Sequence, residues 1–114
     1  MADSADTPTR MRNHLSRSAA LIRLIESKGA NLDECRNVEC HFWAPTEKAA
    51  NDLADELRAR GFKTLRLNQL KGVWNLEVVI SQSARVTASE QFTEYMTTTA
   101  ERFEAVYDGW GTGI

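Results

Sequence analysis

The hydrophobic period of this chain switches between helical and alternating in a fixed order, and that order restricts the fold more than any other feature. From about Thr9, Leu15, Ala19, Ile22 and Ile25, with Leu21 and Leu24 beside them, recur at helical spacing and predict a helix with a broad apolar stripe. Gly29 supplies its stop, and Ala30-Asn31-Leu32-Asp33 reads as a loop. Val38 to Trp43 then alternates as a half-buried strand, with Val38, Cys40 and Phe42 on one face and Glu39, His41 and Trp43 on the other. After Pro45, Thr46 caps a helix whose inward residues are Ala49, Ala50, Leu53, Ala54 and Leu57, and Gly61 ends it. Lys48/Asp52 and Glu56/Arg60 pair along its outer surface.

Phe62 to Leu67 predicts a second strand, followed by a polar loop to Gly72. Val73 to Ile80 is the third, with Trp74, Leu76, Val78 and Ile80 inward and Val73, Asn75, Glu77 and Val79 outward. Thr87-Ala88-Ser89-Glu90 reads as a capping box with Thr87 at the N-cap. Phe92, Met96, Thr99, Ala100 and Phe103 continue that helix to about Glu104, and Ala105 to Trp110 reads as a short returning strand.

After a leading helix, strand, helix, strand, strand, helix, strand is the order of split βαβ units. It predicts an α+β, ferredoxin-like sandwich: an antiparallel sheet of about four strands, helices mainly on one face, plus the N-terminal helix. Residues 1–8 are small and polar and read as a flexible leader, with 9–114 as one domain. One face of the sheet stays bare unless the leading helix crosses it. Glu39, His41, Trp43, Asn75, Glu77 and Val79 are expected there, joined by Tyr107 or Trp110.

Charge narrows the function classes. The 114 residues are 42% hydrophobic, enough for one core without disulfides or a structural metal. Against 14 basic residues stand 16 acidic ones, for a net charge of −2, which argues against a general nucleic-acid binder. The last element is acidic, with Glu90, Glu94, Glu101, Glu104 and Asp108 against Arg102 alone, and serves either as a solvated face or as a dock for a basic partner. No signal or membrane-spanning run is visible, and Cys35 and Cys40 fit a reducing compartment, so a cytoplasmic protein is expected. Cys40 and His41 are adjacent on a strand and point to opposite faces, which discounts a metal shared between them; no metal and no cofactor is expected.

Glu39, His41 and Glu77 invite a catalytic reading as acid, base and orienter, but no nucleophile completes it, and the glycines around Trp110 precede no helix that would make them a phosphate loop. No catalytic residue is assigned. A sheet bearing Trp43, His41 and Tyr107 also has the outline of an RNA-stacking platform, yet Glu39 and Glu77 are the wrong charge for it. An RNA- or small-molecule-binding domain, with or without catalysis, is the alternative reading. Trp74 reads as a core-edge ring, whereas an outward Trp43 beside charges has the character of an interface anchor.

The end of the chain, Tyr107-Asp108-Gly109-Trp110-Gly111-Thr112, packs two rings and two glycines together and is expected to be ordered. With Val38-Glu39-Cys40-His41-Phe42 and Leu57-Arg58-Ala59-Arg60-Gly61-Phe62, it resembles the bacterial regulator of ribonuclease E activity B family, RraB, from about Ile22 to Thr112. The family's first-strand motif is typically Glu-His-His, and Cys40 takes the middle, core-facing place here. The resemblance implies a small cytoplasmic protein that binds RNase E and lowers its activity without being an enzyme. Glu39, His41, Trp43, Glu77, Tyr107, Asp108, Gly109, Trp110 and Gly111 are its candidate motif and partner-binding residues. Enterobacterial members look longer, with an acidic extension after the closing motif, so any contact made by such an extension is expected to be missing from a chain that stops at Ile114.

Overall fold

The computed structural model describes residues 7–113. Along the chain run α1 (Thr7–Ser27), β1 (Cys35–Ala44), α2 (Glu47–Ala59), β2 (Lys63–Leu70), β3 (Val73–Ser83), a short α3 (Ala84–Thr87), α4 (Glu90–Arg102) and β4 (Val106–Thr112). The strands form one four-stranded antiparallel sheet in the order β2-β3-β1-β4, the ferredoxin-like arrangement of an α+β sandwich. The part of the expected leader at 1–6 lies outside the described residues. Thr7 and Pro8 are already helical, two residues earlier than expected; a proline in the first turn costs no intrahelical hydrogen bond.

The core follows the alternation of β1. Val38, Cys40 and Phe42 are fully buried, as are Leu76 and Val78 on β3, and they pack against Leu53 and Leu57 of α2 and Met96 and Ala100 of α4. Each large aliphatic side chain so enclosed contributes about 1.5–3 kcal/mol. α2 begins where Thr46 caps the Ala49 amide, as the sequence predicts, and ends where Gly61 takes φ 100°. There the Phe62 and Gly61 amides return to the Leu57 and Arg58 carbonyls, a Schellman closure that positive φ at Gly61 makes possible.

Three local expectations are corrected. The polar stretch after Leu67 is strand: β2 continues to Leu70 and turns at Lys71 and Gly72, both at positive φ, the geometry of a tight hairpin turn matching the sheet's twist. The cap of α4 is Ser89, whose hydroxyl accepts from the Phe92 amide. Thr87 is instead fully buried in α3, donating to the Ser83 carbonyl, because the chain inserts one extra helical turn between β3 and α4. In α1, Ala19 and Leu24 face solvent, and the inward row is Met11, His14, Leu15, Ser18, Leu21, Ile22 and Ile25. Two of its most buried members are polar, so apolar spacing alone places the stripe off-centre.

Candidate functional site

β1 positions the site by alternation: its buried residues face the helices, and Glu39, His41 and Trp43 emerge on the other side. β3 lies in register beside it, pairing His41 with Glu77, Trp43 with Asn75 and Glu39 with Val79. Glu39 is exposed, whereas His41, Trp43, Asn75, Glu77 and Val79 are partly exposed. None of them joins either apolar cluster of the described residues, while all four helices contribute to clusters built on the opposite side. α1 does not cross this face; it lies along α4, and Arg10 Nη1 meets Glu101 Oε2 at 2.8 Å.

β2 adds charge to the same face. A register shift near Leu65 brings Arg66 opposite Glu77, and Lys63 pairs with Val79. Arg66 Nε lies 3.8 Å from Glu77 Oε1, and His41 Nδ1 lies 3.2 Å from Glu77 Oε2, so one carboxylate is shared between two bases. The face is therefore mixed in sign, not only acidic as the sequence reading has it. Its other end is apolar: Val73 and Leu70, paired across the hairpin, are both exposed near Trp43 and Asn75 in the strand ladder.

The closing motif behaves differently from expectation, because neither Tyr107 nor Trp110 lies on the open face. β4 pairs Gly109 with His41 and then Tyr107 with Phe42, leaving Asp108 as an extra residue in a β-bulge. Gly109 sits at φ 116°, which a side chain rarely adopts. In an unbroken strand, residues three apart point to opposite faces. The bulge removes that difference, so Tyr107 opposite Phe42 and Trp110 opposite Cys40 both turn toward the helices. On the open face β4 presents Val106 beside Trp43, Gly109 beside His41 and Gly111 beside Glu39, and a Cβ added to either glycine would meet nothing within 4 Å. The two glycines leave the β1 side chains uncovered at that edge.

Tyr107 and Trp110 hold α1. The Trp110 indole Nε1 donates to Ser18 Oγ at 2.9 Å. Tyr107 lies between Phe42 and His14, with ring centroids 5.3 and 4.9 Å away. Arg17 donates to His14 Nδ1 at 2.8 Å, which requires that nitrogen to be the unprotonated one. Burial, then the Arg17 guanidinium, lowers His14 below its ordinary pKa of 6.5. In the core beside Tyr107, burial pushes the Cys40 thiol up to about 12, and it also raises the Tyr107 phenol. Cys40 thus occupies the core position expected for it. His14 and Ser18 are the residues that sequence reasoning missed; the signal was the pair of polar side chains at helical spacing from Met11, Leu21 and Ile25.

Fold and face together define a small α+β domain: a sandwich with its helices packed on one side of the sheet and a second sheet surface that carries an indole, an imidazole and charges of both signs. A family model described as "Regulator of ribonuclease activity B" matches residues 16–112, and the chain belongs to this family, RraB. It is a family of regulators of ribonuclease activity. No curated protein matches the chain. Among the described residues no helix is long and apolar enough to cross a membrane.

Proposed function

We propose that this chain is a non-enzymatic cytoplasmic regulator that lowers the activity of an RNase E-type endoribonuclease by binding it, and that the nuclease docks on the open sheet face. The observation that carries this reading is Trp43, partly exposed and outside both apolar clusters, on a face that no helix of the described residues covers, in a member of a ribonuclease-regulator family. A large amphipathic ring beside charges is the kind of residue whose truncation at an interface costs about 2 kcal/mol or more. His41, Glu77, Arg66 and Glu39 supply charge-bearing groups around it, suited to fixing the orientation of a partner. Glu90 and Glu94 on α4 are exposed as well, although Glu101 is engaged by Arg10 of α1, so only part of the acidic helix is open to a basic partner.

The test is RNA cleavage by the host's purified RNase E with increasing amounts of this protein. Wild type should slow cleavage, and a Trp43→Ala/Glu77→Lys variant that keeps its far-UV circular dichroism should not. No effect of wild type removes the nuclease reading; equal inhibition by both proteins removes this face. Binding should weaken as salt is added if α4 participates.

A further inference from the structure

The geometry points to a divalent transition-metal site at Glu39, His41 and Glu77, with Zn2+ as the ion its donor set suits best. This inference concerns the same face and does not depend on nuclease binding. His41 and Glu77 are directly paired across β1 and β3, and Glu39 lies two residues along β1 on the same face. One donor atom from each of the three lies within 4.8 Å of the other two.

The spacing fits a small cation. Bonds of about 2.0–2.1 Å to nitrogen and oxygen in a tetrahedral shell place neighbouring donors about 3.3 Å apart. His41 Nδ1 and Glu77 Oε2 already stand 3.2 Å apart. Glu39 has to close the remaining gap, and its exposure leaves its side chain free to rotate. Glu77 is the least exposed donor, at 14% of its side chain, and its Oε1 leans on Arg66 while Oε2 faces the imidazole. That division holds one oxygen ready for an ion and orients it through a neighbour, as outer partners of metal ligands commonly do.

The surroundings leave the ion accessible. The β4 residues opposite Glu39 and His41 are Gly111 and Gly109, whose missing side chains leave space beside the donors for the waters that complete a coordination shell. The chemistry selects among metals. One imidazole with two carboxylates suits Zn2+, Co2+ or Mn2+; Ca2+ prefers oxygen alone, and Cu+ prefers sulfur. The nearest thiol in sequence, Cys40, is fully buried on the far side of the sheet. The ion would replace the His41–Glu77 contact and relieve the repulsion between two carboxylates on one patch.

The experiment is calorimetric titration of the chelator-stripped full chain with Zn2+. One equivalent should bind, and Glu39→Gln, His41→Gln and Glu77→Gln should each weaken binding at least about tenfold. Cys35→Ser should bind as wild type does, since Cys35, the exposed thiol, is not a ligand of the site. Amide spectra of wild type with substoichiometric Mn2+ provide a check that needs no variant: broadening should centre on residues 39, 41, 77, 109 and 111. No binding up to millimolar Zn2+, unchanged affinity in the three variants, or broadening centred elsewhere overturns the site.

Discussion

Gly109 and Gly111 lie two residues apart in β4, and a Cβ on either would meet nothing within 4 Å, yet only Gly109 is at positive φ, 116°. Replacing each with alanine therefore separates backbone conformation from crowding. Both variants restrict the unfolded chain, a gain of about 0.4–1 kcal/mol that is common to the two and cancels in their difference. Gly109→Ala alone forces a side chain into a conformation costing about 1–3 kcal/mol, so it should be less stable than Gly111→Ala by about that amount. With a urea slope of about 1–3 kcal/mol/M, the two midpoints should differ by roughly 0.5–2 M. Urea unfolding followed by tryptophan fluorescence reads this directly. The bulge also aims Trp110 at Ser18, so Gly109→Ala should loosen α1 and raise hydrogen exchange across residues 14–22, while Gly111→Ala should not. Midpoints agreeing within about 0.3 M would refute the argument that β4 depends on a glycine-only bend.

Two further outcomes concern the contacts behind that bend. Burial lowers the His14 pKa below 6.5, so the unfolded chain takes up a proton more readily than the folded one; the contribution of His14 to stability is intact above that value and is lost as the pH falls below it. Unfolding midpoints measured from pH 7.5 to 5 should fall more steeply for wild type than for His14→Gln, and parallel curves would contradict this. The Tyr107 hydroxyl is buried with the Cys40 thiol, a weak hydrogen-bonding group, as its neighbour, so Tyr107→Phe should change stability by no more than about 1 kcal/mol in either direction; a loss of more than about 1 kcal/mol would show that the hydroxyl is held firmly.

Much of the site was legible because alternation in a strand is a local property. Val38 to Trp43 separates a core face from a solvent face within one element, and the structure keeps Cys40 and Phe42 inside and His41 and Trp43 outside. The same holds for α2, where Thr46 and Gly61 mark the ends and the inward set is Ala49, Ala50, Leu53, Ala54 and Leu57. Less local features misled. Thr87 and Ser89 are both good caps, and which one starts α4 depends on how β3 runs into α3. In α1, Ser18 and His14 are inward because Trp110 and Tyr107 await them, residues far along the chain.

Element order, the faces of β1 and β3 and the closing motif were determined by the sequence itself, since spacings of two and of three to four residues, with caps and glycines, act between near neighbours. The tertiary structure alone decided that Glu77 stands opposite His41, that Arg66 shares its carboxylate, and that both rings of the closing motif turn away from the open face. Those outcomes depend on strand register, and a one-residue offset such as the bulge at Asp108 reverses which face every later side chain occupies. Register is settled by packing between segments distant in the chain, and no local pattern carries that information.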